Sequence, residues 1–123
     1  MEELTCDAFV QGCKELAKKI DSFPITTIYG IPRGGMVVAV YLSHLTGHPV
    51  VEQDDINPMT LIVDDIIETG NTMRKYEENG YVMAALYYNK KCSTVPDAWI
   101  FEQTDFVKFP WETDSSAKTD YER

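Results

Sequence analysis

Nowhere in this 123-residue chain is there an apolar run approaching the roughly 20 residues that a membrane-spanning helix requires, so no membrane anchor is expected. The opening MEELTCDAF has neither the basic region nor the apolar region of a secretory leader. Cysteine is scarce and unpatterned. Cys6, Cys13 and Cys92 are odd in number and lack zinc spacing, which fits a reducing, cytoplasmic setting rather than a disulfide framework. Basic residues are also few. Eleven Lys and Arg against 20 Asp and Glu leave a net charge of -9, which excludes binding driven by nucleic-acid phosphates. The same acidity works against a small polyanionic ligand, unless backbone amides and a divalent cation supply the local positive charge. No Ser/His/Asp or Cys/His nucleophile set stands out. His44 and His48 are four apart, but Gly47 ends the helix between them, so they are not expected to share a metal. Asp54-Asp55 has no strand, glycine or threonine around it and reads as loop, while Met36, Met59, Met73 and Met83 read as core filling.

What remains is an ordinary globular composition in a length that suits one domain over 1–123, with 112–123 expected to form a flexible polar tail. Phe9, Cys13, Leu16 and Ile20 recur at helical spacing, so residues 5–20 are predicted to form a helix, closed off by Pro24. Short apolar runs at 25–29 and 60–63, and a longer one at 81–88, predict buried strands. Weaker strand signals lie at 49–52, 98–101 and 105–109. The apolar stretch 36–46 predicts a helix packed on a sheet and stopped by Gly47, and 73–79 a short helix stopped by Gly80. Strands alternating with helices imply an α/β fold with a mostly parallel sheet, and such sheets bind ligands at the carboxyl ends of their strands. The loops after Tyr29 and Val63 both sit there. No repeat or linker divides the chain.

The most informative segment runs Leu61-Ile62-Val63-Asp64-Asp65-Ile66-Ile67-Glu68-Thr69-Gly70-Asn71-Thr72. It opens as a buried strand, presents two adjacent carboxylates and a third acid, and turns through Thr-Gly-Asn-Thr into a helix. Gly70 permits a backbone shape in which successive N–H groups converge, and Thr69 and Thr72 add hydroxyl donors. Together they suit a phosphate monoester. Asp64 and Asp65 would repel that phosphate. They make sense as acceptors for sugar hydroxyls, or facing a Mg2+ that those hydroxyls bind. Glu68 projects from the same loop and suits a base, or a group that steadies charge developing on the sugar. The competing explanation is a capping cluster complementing a helix dipole, but one acid and one threonine would satisfy that.

This segment closely resembles the phosphoribosyl pyrophosphate signature of the type I phosphoribosyltransferases: an apolar run, two acids, two apolar residues, an acid, then Thr-Gly-x-Thr. The resemblance implies that Asp64 and Asp65 hold the ribose 2- and 3-hydroxyls, with Mg2+ nearby directly or through water. It implies further that Glu68, Thr69, Gly70, Asn71 and Thr72 cradle the 5-phosphate. Gly30-Ile31-Pro32-Arg33-Gly34-Gly35 is similar to the family's pyrophosphate loop, in which Pro32, Arg33, Gly34 and Gly35 would meet the leaving group. In relatives the peptide bond before the basic residue is often cis, here Pro32–Arg33. Glu68, Asp65 and Arg33 are the expected catalytic residues. Further on, Tyr87-Tyr88-Asn89-Lys90-Lys91 and Asp105-Phe106-Val107-Lys108-Phe109-Pro110-Trp111 resemble the 6-oxopurine branch, the bacterial xanthine–guanine enzymes most of all. Carried over residue by residue, Lys90 reaches the exocyclic oxygen, Phe106 stacks on the base and Val107 offers backbone contacts. Lys91 is a rival to Lys90, and packing of a small hood over the sheet is the competing use of Phe106 and Trp111.

Two departures stand out. Relatives carry a hairpin and a mobile loop before the signature strand, often with a basic residue that helps hold pyrophosphate. Here only 48–60 remains, without Lys or Arg. The third acid is Glu68 where Asp is usual. The resemblance thus implies a type I phosphoribosyltransferase fold with a reduced hood. The implied reaction joins phosphoribosyl pyrophosphate to guanine, xanthine or hypoxanthine with Mg2+, in a homo-oligomer, a dimer by analogy, without nucleic-acid or membrane partners. The alternatives are a regulatory module that binds phosphoribosyl pyrophosphate or nucleotide without turnover, and a transferase for another base.

Overall fold

The stripe that makes residues 5–20 amphipathic also fixes where that helix lies. The computed structural model describes residues 1–119. After a two-residue strand β1 (Glu2–Glu3), Thr5 caps helix α1 (Cys6–Ile20), its hydroxyl accepting from the Ala8 amide at 3.1 Å. Phe9, Cys13, Leu16 and Ile20 form the buried face of α1. Strand β2 (Thr27–Gly30) leads into helix α2 (Gly34–Thr46), which ends at Gly47 with a left-handed φ of 81°. Strand β3 (Thr60–Ile67), helix α3 (Arg74–Glu78), strand β4 (Met83–Tyr88) and strand β5 (Ala98–Glu102) follow. Strand β6 (Val107–Lys108) and helix α4 (Asp114–Thr119) complete the described chain. The polar stretch from 112 thus holds a short helix with Ala117 buried, and residues 120–123 lie outside the described part.

Strands β2, β3, β4 and β5 form one sheet in chain order, every pair parallel. Side chains alternate between its faces. Ile28, Leu61, Val63, Ala84 and Leu86 pack with the buried faces of α1 and α2. Tyr29, Ile62, Met83 and Ala85 pack with Met73 and with Tyr76 of α3. Burial on both sides is why these strands are continuous apolar runs rather than alternating ones. Each such Leu, Ile or Val contributes roughly 1.5–3 kcal/mol of burial.

Three departures from expectation go beyond a shift of one or two residues at an element's end. The signature strand does not stop at 63. Asp64, Ile66 and Ile67 stay in register with Ala85, Tyr87 and Tyr88, because β4 offers a full ladder that outweighs the loop-like composition. Residues 49–52 make only an isolated bridge, Ile28 to Val50, and a single 3-10 turn at Gln53–Asp55 follows. The 105–109 strand shortens to β6, which pairs in parallel with β1, a partner too short to show in the sequence pattern.

That β1–β6 ribbon is the reduced hood. It is anchored by aromatics: Phe109 stacks on Trp111 at 5.0 Å, and Phe9 and Tyr87 meet them edge-on. The Tyr87 hydroxyl donates to Glu2 Oε2 at 2.5 Å. Burial, then that bond, pushes the Tyr87 phenol above its ordinary pKa.

Candidate functional site

Both glycine loops leave the carboxyl ends of neighbouring parallel strands, so the topology alone brings them together. The Ile31 amide donates to the Val63 carbonyl at 2.9 Å, which lays the loop after β2 across β3. The contact tightens at Gly34 and Gly35. A Cβ on Gly34 would collide with the Asp65 carboxylate. A Cβ on Gly35 would lie 2.7 Å from the Val63 carbonyl oxygen and 3.2 Å from Asp64 Oδ1. The two motifs, about thirty residues apart in sequence, therefore form one surface, and only glycine fits the seam. The Pro32–Arg33 peptide bond is cis. Arg33 is exposed and, with Gly34, borders a small hollow lined by Trp111, Glu112 and Ser116.

Asp64 and Asp65 are buried, 5% and 1% exposed, and the Asp65 amide donates to Asp64 Oδ1 at 2.8 Å. Beyond Ile67 the chain turns through Glu68 to Thr72. Thr69 Oγ1 accepts from the Asn71 amide at 3.2 Å, and the Gly70 carbonyl accepts from the Arg74 amide at 3.0 Å, closing the turn into α3. Gly70 has φ of 80°. Cys92 and Thr94 press against it from behind, and the buried Thr94 hydroxyl has no hydrogen-bond partner among the described residues.

Past Glu68 a cavity of about 470 Å3 opens, a size that suits a small ligand. Glu68, Lys90, Lys91 and Phe106 all line it. Lys90 lies 3.6 Å from Glu102 Oε2 and over the Trp99 ring. Val107 does not join the lining. Its side chain is fully buried, and it stands opposite Glu2 in the hood, where the Glu2 amide donates to the Phe106 carbonyl at 2.8 Å. Five lining residues were missed from sequence, Asn89, Glu102, Gln103, Thr104 and Asp105, and two of them, Asn89 and Gln103, tie the wall together. Gln103 Nε2 donates to Glu68 Oε2 at 2.5 Å and to the Asp105 carbonyl at 3.2 Å, and Asn89 Nδ2 donates to Gln103 Oε1 at 3.3 Å. The available signal was position. Both follow the last residues of parallel strands, where such sheets carry ligand groups.

The connection at 48–60 carries the Val50 bridge and the 3-10 turn and ends in a tight turn at 57–60. Asn57 and Thr60 bond each other's neighbourhood, and Thr60 Oγ1 meets Thr27 Oγ1 at 2.7 Å. Among the described residues no three or more His, Cys, Asp or Glu side chains gather as a metal cluster. The donor set at the seam is a pair of carboxylates. That set fits a hard divalent cation which keeps several waters and takes further oxygens from its substrate. No described helix is long and apolar enough to cross a membrane.

No protein-family model and no curated protein sequence matches the chain. Solved structures do. A purine phosphoribosyltransferase from Pyrococcus horikoshii superposes with a TM-score of 0.80 at 27% identity, over 91% of this chain and 93% of that one. The xanthine-guanine-hypoxanthine phosphoribosyltransferase of Helicobacter pylori gives 0.78 at 17% identity, over 98% and 99% of the two chains. An adenine phosphoribosyltransferase from Rhodothermus marinus gives 0.59 at 20% identity, over 80% and 81%.

Proposed function

We propose that this chain, a member of the type I phosphoribosyltransferase fold family, is an enzyme of purine salvage that moves the 5-phosphoribosyl group from phosphoribosyl pyrophosphate to a 6-oxopurine base. One observation carries the proposal. The glycine loop at 30–35 and the acidic signature loop meet along a seam that only glycine fits, and the signature's Glu68 continues into a base-sized cavity.

In the reaction the bond from ribose C1 to pyrophosphate breaks and a bond from C1 to a purine nitrogen forms, through an oxocarbenium-like transition state. Asp64 and Asp65 accept from the ribose 2- and 3-hydroxyls and hold the ring in line. The turn from Glu68 to Thr72 receives the 5-phosphate, with Thr69, Asn71 and Thr72 around Gly70. Arg33 and the Gly34 and Gly35 amides offset charge on the leaving pyrophosphate. Mg2+, held by Asp64 and Asp65 directly or through water, supplies further neutralisation when bound. Glu68 takes the proton released from purine N7 or N9, or steadies the ribosyl cation. Lys90 or Lys91 reaches the exocyclic oxygen and Phe106 stacks on the ring; a lysine donor favours an oxo group over the amino group of adenine. Val107 contributes through its backbone. Three free thiols among the described residues fit a cytoplasmic setting. The exposed apolar side chains Met36, Val37, Val40 and Leu45 on α2, with Val50 beside them, support a homodimer.

Asp65→Asn and Arg33→Ala should each lose at least about 100-fold in pyrophosphate release while keeping the wild-type far-UV spectrum. Wild-type rates in both would end the assignment. The absence of Lys or Arg from 48–60 favours one second reading, a module that binds phosphoribosyl pyrophosphate without turnover.

A further inference from the structure

Taking the cavity as the base site of a phosphoribosyltransferase, as proposed above, we infer that Gln103 is the positioning residue for Glu68. Its carboxamide clamps the Glu68 carboxylate at the cavity wall and ties it to the lysine loop and the hood. Gln103 is 8% exposed and stands directly after β5, at the carboxyl edge of the sheet. The orientation of its amide is not free. Nε2 faces two acceptors, Glu68 Oε2 at 2.5 Å and the Asp105 carbonyl at 3.2 Å, so it must be the donor end. Oε1 then accepts from Asn89 Nδ2 at 3.3 Å, and Asn89 Oδ1 in turn accepts from the Lys91 amide at 3.0 Å. Both Gln103 N–H groups are engaged within the protein, leaving no donor for a base. Its part is to hold, not to read.

Every wall of the cavity enters this chain of bonds. Glu68 comes from the signature loop, Asn89 and Lys91 from the end of β4, Gln103 from the end of β5, and Asp105 from the approach to Phe106. A carboxylate on a flexible glutamate has more rotamers than one on aspartate, and a fixed donor removes them. Gln103 thus accounts for the glutamate. The additional methylene carries the carboxylate across to the amide that holds it. An aspartate at 68 is one methylene shorter and loses that reach.

The test is a double-mutant cycle. Gln103→Leu keeps the side-chain size and removes the donors. It should lower kcat about 10- to 100-fold, the scale set by misplacing a reacting group, while KM for phosphoribosyl pyrophosphate stays within about threefold. In a Glu68→Asp background the same substitution should change kcat less than about twofold, because the clamp is already open. Equal losses in both backgrounds, or a kcat near wild type for Gln103→Leu alone, would overturn the inference. A second readout needs no turnover. The Gln103 side-chain NH2 signals of the wild-type protein should exchange slowly with solvent and shift on Glu68→Asp. Fast exchange with no shift overturns the clamp even in a protein active on no base, whereas slow, shifting signals in such a protein uphold it and send only the transferase proposal away.

Discussion

Gly70 shows how much one residue carries. Its φ of 80° lies where a side chain is strained, and an added Cβ would sit 2.5 Å from Cys92 Sγ and 2.8 Å from Thr94 Oγ1. Gly70→Ala should therefore cost about 1–3 kcal/mol in urea denaturation followed by tryptophan emission, and should weaken phosphoribosyl pyrophosphate binding. A midpoint equal to wild type would mean the turn is not held as described. At this scale the sequence was partly transparent. Asp64, Asp65, Glu68 and Thr69 announce themselves because local order creates the motif. Gln103, Asn89 and Thr94 do not, because each acquires meaning only from a partner distant in the chain; the Gln103 to Glu68 bond spans 35 positions. Val107 marks the opposite case. Its position in the motif was visible, but its inward-facing side chain was decided by the pairing of β6 with β1.

Among the elements, α1, α2 and the two central strands were legible because burial dictates their pattern: a stripe at helical spacing, or a run apolar on both faces. The end of β3 was hidden, since Asp64-Asp65 reads as loop by composition while its backbone completes a ladder with β4. Helix α2 holds an unspent resource. Its inner face, Val38, Ala39 and Leu42, fills the core, whereas Met36 and Val40 are about half exposed at 52% and 50%. A helix apolar all round should be covered. Sedimentation velocity at micromolar concentration should show two copies, and Met36→Glu combined with Val40→Glu should yield a folded monomer. A wild-type monomer would leave that face without its proposed partner.

For the molecule as a whole, chain order settled the topology. Alternating strands and helices gave a parallel sheet with its loops at one edge, and both glycine loops fell there as expected. The net charge of -9 is compatible with the proposed polyanionic substrate, because that reading gives Asp64 and Asp65 to hydroxyls and a cation, and backbone amides and Arg33 to the phosphates. Base choice was the least legible property, since the proposed base site is a cavity lined from three strand ends. The decisive measurement is pyrophosphate release with Mg2+ and phosphoribosyl pyrophosphate across guanine, xanthine, hypoxanthine, adenine, uracil and orotate. Release with one or more of the three 6-oxopurines, and little with the others, is the expected result. Tight Mg2+-dependent binding of phosphoribosyl pyrophosphate with no release on any base would contradict the transferase and leave a sensor, and release with adenine alone would contradict the role given to Lys90 and Lys91.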